Sequence, residues 1–149
     1  MGTRGVYQVK RCHDEEIVSA AQKPLVDSGD LPYVEFENRE WWVVWSGEKP
    51  VGYAGMKIWE DYAWFSICGV IPVHRGHGLQ KRLISVRVRH AKKVGVKVIY
   101  TYTINGNHPS SCSLIRRHFV LCTPPDRHYG QWAGKRDVLY WQRTLTKGG

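Results

Sequence analysis

The segment that most constrains the fold is a basic loop with two glycines, between a predicted strand and a predicted helix. The loop, Ile71-Pro-Val-His-Arg-Gly-His-Gly78, follows a β-rich run from Tyr62 to Val70, and a helical pattern then lasts to about Val94. Glycine lets the backbone approach a ligand closely, and the first amides of a helix have no partner inside the helix. The segment therefore indicates a phosphate or pyrophosphate site. The alternative, about equally favoured, is a plain connection in which the glycines only form the turn.

Composition excludes several classes of protein. The chain has 149 residues, the size of one common domain, and we expect residues 1–149 to form a single domain. No apolar run approaches the roughly 20 residues of a membrane span. The N-terminal segment is polar and basic, which is unlike a signal peptide, so we expect a cytoplasmic protein without a membrane partner. The cysteines form no CxxC pair and the histidines show no ligand spacing, which predicts free thiols and no metal site.

The charge balance favours anionic ligands. The formal net charge is +9, which attracts polyanions without specifying one. At 100° per residue, five basic side chains of the long helix fall on one arc. This arc is either a solvated face or a track for a polyanion. Its members are Lys81, Arg82, Arg89, Lys92 and Lys93.

Hydrophobic periodicity predicts a mixed sheet with helices against it. In the strand Glu40–Trp45, Trp41 and Trp45 share one face and Trp42 takes the other. Arg87 projects into the apolar arc of the long helix, and we expect a structural ion pair with Glu35, Glu37 or Asp137. Strands are predicted at 5–10, 40–45, 51–59, 62–70, 96–104, 119–122 and 137–145, and helices at 14–28, from the glycine loop to about 94, and at 110–118.

Three segments resemble the GNAT superfamily of acyl-CoA-dependent N-acyltransferases. The first, Arg75-Gly-His-Gly78-Leu-Gln80, matches the family's phosphate loop at every position except the last. The second is Asn107, followed twelve residues later by Phe119 after a short helix. The third is the final strand, 137–145. The resemblance spans about residues 5 to 145 and implies an α/β (α+β mixed) fold. Its central mixed sheet would be mostly antiparallel, with splayed central strands and flanking helices.

The resemblance implies an N-acyltransferase that moves an acetyl group from acetyl-CoA to an amine by direct attack. The thioester would lie where the central strands splay apart, and a backbone amide would meet the oxyanion. Proximity would supply most of the rate, so few catalytic side chains are needed. The cofactor contacts that the resemblance implies are Cys68, Gly69, Val70, Arg75, Gly76, His77, Gly78, Leu79, Gln80 and Asn107.

The chain departs from the family at the general acid. The family's tyrosine, seven residues after the asparagine, is Leu114 here. Candidates for its role are Ser113, Tyr102 and Ser111, although helix capping by the serines and a plain sheet position for the tyrosine are the simpler interpretations. Water is a further option, because a thiol of pKa near 8.5 leaves readily. Gln80 either narrows the phosphate loop or hydrogen-bonds a phosphate.

Two further functions stay open at this point. Arg127, His128, Tyr129 and Trp132 mix basic and aromatic side chains in a loop, a pattern that contacts phosphates and stacks on bases. With the net charge, it favours an enzyme that modifies a base or acylates aminoacyl-tRNA. The missing acid favours instead a non-catalytic module that binds coenzyme A or another ligand. The acceptor amine and the oligomeric state follow from no feature of the sequence.

Overall fold

The computed structural model describes residues 7–104, 108–123 and 138–145, which form a seven-stranded sheet flanked by helices. A one-turn 3-10 helix, Pro72–His74, forms the first part of the glycine loop. The strands are β1 (Tyr7–Cys12), β2 (Glu40–Ser46), β3 (Lys49–Ile58), β4 (Tyr62–Val70), β5 (Val98–Ile104), β6 (Val120–Cys122) and β7 (Val138–Thr144), and the helices are α1 (Glu15–Asp27), α2 (Leu79–Lys93) and α3 (His108–Arg116).

The sheet has the order β1-β2-β3-β4-β5-β7-β6. Neighbouring strands are antiparallel except β4 and β5, which are parallel. A parallel pair needs a crossover connection, and α2 supplies it. The predicted mixed, mostly antiparallel sheet is therefore confirmed.

Side chains alternate between two apolar layers, one on each face of the sheet. On β2, Trp41 and Trp45 contact α1 and its loop, whereas Trp42 joins the layer under α2 and α3. The alternation confirms the predicted faces of the three tryptophans. The larger apolar layer lies under α2. It contains side chains of both central strands, since Phe65 of β4 and Ile99 of β5 are buried in it.

The first helix begins and ends where local chemistry dictates. The Asp14 carboxylate accepts hydrogen bonds from the amides of Glu16 at 2.9 Å and Ile17 at 3.4 Å, as an N-cap does. Gly29, at a φ of 81°, follows the last turn. The prediction of a helix over 14–28 with an Asp14 cap is confirmed.

The fifth strand starts later than predicted. The amide of Val96 donates to the carbonyl of Ala91 at 2.9 Å, and that of Gly95 donates to the carbonyl of Lys92 at 3.2 Å. These are the two hydrogen bonds of a Schellman cap. Val96 therefore still closes α2, and strand pairing begins at Val98. The third helix also begins earlier than the predicted 110.

The central strands separate after a short contact. β4 pairs with β5 only at Tyr62↔Val98, Ala63↔Ile99 and Trp64↔Tyr100. On its other edge β4 stays paired with β3, but Ser66 has no opposite residue there, since Gly55 faces Ile67 and Met56 faces Phe65. Such a bulge bends a strand. The splayed central strands are thus confirmed, with the bulge where they part.

The ion pair predicted for Arg87 is wrong for Glu35 and Glu37, and Asp137 lies outside the described residues. Arg87 is 2% exposed, and its guanidinium donates to the carbonyls of Leu83 and Gly55, both at 3.1 Å. Glu35 and Glu37 lie in the loop on the opposite face, and their carbonyls accept from Arg39. Main-chain oxygens thus accept from two of the guanidinium nitrogens for which a carboxylate partner was expected.

Candidate active site

The glycine loop leaves the N-terminus of α2 open. Gly76 and Gly78 have φ values of 85° and 73°, a conformation that side chains disfavour. A Cβ added at either position would meet no atom within 4 Å. The two glycines therefore serve the backbone conformation and leave clear space in front of it.

The first turn of α2 has backbone amides that donate to no other described residue. The first helical hydrogen bond runs from the amide of Arg82 to the carbonyl of Gly78, at 3.1 Å. The amides of residues 79–81 precede that bond, and Gly78 offers no capping side chain. No acidic residue occupies this turn, whereas Lys81 does. Donors, dipole and charge together suit an anionic group such as pyrophosphate.

Arg75 fastens the loop to the end of β4. Its Nε donates to the carbonyl of Val70 at 2.9 Å, and the amide of Ile71 donates to Val51 of β3 at 2.9 Å. The guanidinium therefore holds the loop against the sheet. This fixes the position of the glycines relative to β4.

A groove of about 630 Å³ runs from this loop along the end of β4. His77 does not line it and instead lies against the ring of Tyr7, with 5.2 Å between ring centroids. Asn107 lies outside the described residues. Of the predicted cofactor contacts, the structure brings together Cys68, Gly69, Val70, Arg75, Gly76, Gly78, Leu79 and Gln80 as groove-lining residues.

A second cavity of about 420 Å³ lies between the parted strands. Residues 64–68 of β4 and 101–103 of β5 form its walls. It shares Leu31, Cys68 and Gln80 with the groove, so the two adjoin, and we call them together the channel. We call this second cavity the cleft. The channel extends from the glycine loop to the opening between β4 and β5.

Gln80 bridges the two helices that border the channel. Its Nε2 donates to the Ser110 hydroxyl at 3.1 Å, which connects α2 to α3. Of the two roles expected for this residue, the contact supports narrowing of the passage. A small residue at this position could not make the bridge.

The candidate acids are not equivalent. Tyr102 lines the cleft, Ser113 lines the groove, and Ser111 lines neither. The Ser111 hydroxyl instead lies 3.3 Å from that of Thr103, within hydrogen-bond distance. Leu114 also lines the cleft and is 5% exposed.

Burial keeps two titratable groups of the cleft, the Tyr102 phenol and the Cys68 thiol, in their neutral forms. It raises the pKa of the Tyr102 phenol, and the neighbouring Tyr140 adds to the effect. Burial likewise raises the pKa of the Cys68 thiol, while Arg87 opposes the shift. Both groups therefore hold their protons at neutral pH.

Sequence reasoning missed the loop over residues 28–39, which forms one rim of the cleft. Gln22 is fully buried, and its side-chain amide exchanges two 2.9 Å hydrogen bonds with the backbone of Val34. Arg39 donates from Nε to the hydroxyl of Ser66, at 3.2 Å. A signal for Gln22 exists, because this polar residue falls on the apolar stripe of α1 between Val18 and Leu25.

The remaining predicted features are the basic side chains of α2, the cysteines and the basic aromatic loop. On α2, Lys81, Arg82, Arg89 and Lys93 are exposed. The four cysteines are free thiols, as predicted: Cys12, Cys68, Cys112 and Cys122. The proposed contacts Arg127, His128, Tyr129 and Trp132 lie outside the described residues. In the described ranges no cluster of three metal-ligating side chains occurs, and no helix there has the length and hydropathy to cross a membrane.

Several solved structures have the same fold as this chain. The ribosomal-protein-S18-alanine N-acetyltransferase of Escherichia coli superposes with a TM-score of 0.78 at 15% identity, over 96% of each chain. N-acetylglutamate synthase from Neisseria gonorrhoeae, solved with coenzyme A and N-acetyl-glutamate, gives 0.73 at 17%, over 94% of this chain and 35% of that one. An acetyltransferase of Bacillus subtilis in complex with CoA gives 0.67 at 15%, over 94% and 98%.

Sequence comparison supplies the family. No curated protein sequence matches the chain. The model of the acetyltransferase (GNAT) family matches residues 7–119, which include the bulged strand, the glycine loop and α2. The structural likenesses, all below 25% identity, show the same fold. The chain belongs to the acetyltransferase (GNAT) family.

Proposed function

We propose that this protein is an N-acyltransferase that moves an acetyl group from acetyl-CoA to an amine by direct attack. The observation that carries the proposal is the channel that joins the open N-terminus of α2 to the cleft between β4 and β5. Family membership supports acyl transfer. Structural neighbours that bind CoA or acetyl-CoA support the choice of acyl donor.

The residues of the channel fit coenzyme A. Free amides at residues 79–81, with Lys81 beside them, would hold the pyrophosphate. Beyond Trp64, the β5-facing edge of β4 carries no strand pairing. Apart from the Phe65 carbonyl, which accepts from Thr101, its amides and carbonyls can serve an extended ligand. Gln80 and Ser110 would restrict the channel to a slender chain.

The reaction needs the two reactants held in position and the developing negative charge stabilised. It needs no nucleophile from the protein, because the acceptor amine attacks the thioester directly. Acetyl-CoA supplies an activated thioester: its C–S bond breaks as the amine forms a C–N bond. Backbone amides of β4 at the cleft, beside Ile67 and Cys68, are the donors for the oxyanion. The amine proton passes to water, since no carboxylate among the described residues lies on the cleft walls formed by β4 and β5.

Tyr102 is the proposed proton donor to the departing thiolate, and its phenolate then regains a proton from water. Its phenol lines the cleft and stays protonated at neutral pH, because burial raises its pKa. Ser113 is the alternative from the groove side, and Ser111 is less suited because its hydroxyl faces Thr103. Unchanged turnover in Tyr102→Phe would assign the proton to Ser113 or to water.

Calorimetric titration with acetyl-CoA tests the proposal. The wild type should bind with a micromolar constant, and Gly78→Glu should abolish binding because its carboxylate would occupy the anion site. Gly95→Glu is the matched control. Gly95 has a φ of 89°, open space for a side chain and a place at the other end of α2. It carries similar backbone strain, so this variant should bind normally.

Three outcomes would contradict the proposal. Failure of the wild type to bind would mean that the channel serves another ligand. Binding without release of the CoA thiol on any amine would favour the non-catalytic module. Equal weakening by Gly78→Glu and Gly95→Glu would show that helix damage, rather than the anion site, controls affinity.

A second candidate function rests on the exposed basic side chains of α2. Lys81, Arg82, Arg89 and Lys93 would suit a nucleic-acid acceptor. Retention of the protein on tRNA or DNA near physiological salt, with a steep salt slope, would support it. Retention that disappears at low salt concentrations would exclude it.

A further inference from the structure

Two guanidinium groups line the cleft, one from each face of the sheet. Arg87 extends from α2, and Arg39 ends the loop packed with the α1 layer. Both are anchored next to the bulge: Arg39 donates to Ser66, and Arg87 to Gly55, which faces Ile67. The cleft therefore concentrates positive charge where the strands part.

Among the described residues, the contacts of the Arg87 guanidinium are all with neutral groups. Its guanidinium carbon lies 3.8 Å from the centroid of the Phe65 ring, and its hydrogen bonds go to two main-chain carbonyls. Among the ion pairs of the described residues, none includes Arg87. Burial lowers its pKa to about 10, so the group is still charged at neutral pH. A buried cation without a counter-ion is costly unless a ligand supplies one.

Arg39 likewise pairs with no carboxylate in the part of the chain that the structure describes. Its Nε donates to Ser66, and its Nη1 to the carbonyl of Glu35 at 3.0 Å. The side chains of Glu35 and Glu37 are exposed to solvent. Of the described residues that line the cleft, Asp30 is the one acid, and it is exposed at the rim. The described lining thus carries two cations against one solvated anion.

We propose that the cleft binds a carboxylate carried by one of the two reactants, with Arg39 and Arg87 as its partners. The carboxylate belongs either to the acceptor, as in an amino acid or a peptide C-terminus, or to a dicarboxylic acyl chain. A guanidinium presents paired donors that match a carboxylate. The inference rests on the proposed acyl transfer and adds the charge class of the substrate to it.

Acyl-transfer assays with two arms test the inference and identify the source of the carboxylate. One arm uses acetyl-CoA with L-amino acids and short peptides, each against its own C-terminal amide. The other compares succinyl-CoA with acetyl-CoA on the amides. Release of the CoA thiol is the readout. We expect kcat/KM to favour the carboxylate-bearing member by tenfold or more in one arm, by about the value of a charge-assisted hydrogen bond.

Variants separate recognition from folding. Arg39→Gln should reduce the preference for the carboxylate-bearing member about tenfold, mainly by raising its KM. Arg89→Gln, on the exposed face of α2, removes the same charge and should change nothing. Arg87→Met is the second test, used if circular dichroism shows a folded protein. It should remove the preference as Arg39→Gln does.

The inference is overturned by equal rates for charged and uncharged members in both arms, by no turnover in either arm, or by a preference that survives both folded variants. Its failure is distinct from that of the proposed function. If acetyl-CoA binds and acylates amides as well as acids, acyl transfer stands and the carboxylate site does not. If acetyl-CoA does not bind at all, the proposed function falls first.

Discussion

The two edges of β4 differ in how they are used. Towards β3, pairing continues along the strand from Ile58↔Ala63 to Gly52↔Val70, interrupted only by the bulge at Ser66. Towards β5, pairing stops at Trp64↔Tyr100, and the cleft begins. One strand thus anchors the sheet on one side and leaves its backbone groups accessible on the other. The edge of β4 that faces β3 therefore contributes to stability, whereas the edge that faces β5 gives access to a ligand.

The largest expected effect is a loss of stability when a buried side chain is truncated where β3 and β4 pair. Met56 is fully buried opposite Phe65, so Met56→Ala should lower the free energy of unfolding by about 2–5 kcal/mol. Leu114 borders a cavity that already exists. Leu114→Ala should therefore lower the free energy of unfolding by an amount near the low end of that range. Urea denaturation measures both. An equal or greater loss at Leu114 would contradict the division between the edges.

An intermediate effect is expected at Gly69. An added Cβ there would lie 2.7 Å from Leu25 Cδ1 and 2.8 Å from both Leu31 Cδ1 and Tyr53 Cε1. Gly69→Ala should therefore cost about 1–3 kcal/mol by overpacking. Because Leu31 lines the channel, the KM for acetyl-CoA should rise as well. Gly52→Ala, whose nearest contacts are at 3.2 Å, is the control and should cost less.

The smallest effect is expected at the point where the strands part. Beyond the last paired residues, the Thr101 hydroxyl donates to the carbonyl of Phe65 at 3.4 Å. Thr101→Val should cost about 0.5–1.5 kcal/mol and speed amide exchange in β5. Thr144→Val, at an exposed position of β7, should leave both unchanged. Slower exchange after Thr101→Val would show that this contact does not hold the strands together.

The fold was largely predictable because it depends on local patterns. Aromatic and β-branched alternation placed Trp41 and Trp42 on opposite faces, and Asp14 and Gly29 delimited α1. The glycine loop was recognisable because it requires positive φ at Gly76 and Gly78. Each of these features involves residues close together in the chain.

The cleft was less predictable because its contacts join distant segments. Ser66 is an ordinary strand residue until its register with β3 makes it a bulge. Arg87 was recognised as unusual, yet its acceptor, the Gly55 carbonyl, is a backbone atom that no sequence pattern marks. Arg39 becomes part of the cleft only through its contact with Ser66, 27 residues away.

The hydrogen-bonded contact between Gln22 and Val34 holds the rim of the cleft in place while the sequence of the rim can change. Its two hydrogen bonds use only the backbone of Val34, so they place no demand on the side chains between Ser28 and Val34. Substitutions among these exposed or half-buried positions can therefore alter what enters the cleft while the sheet folds as before. A new acceptor preference could arise here by few mutations, each tolerated on its own.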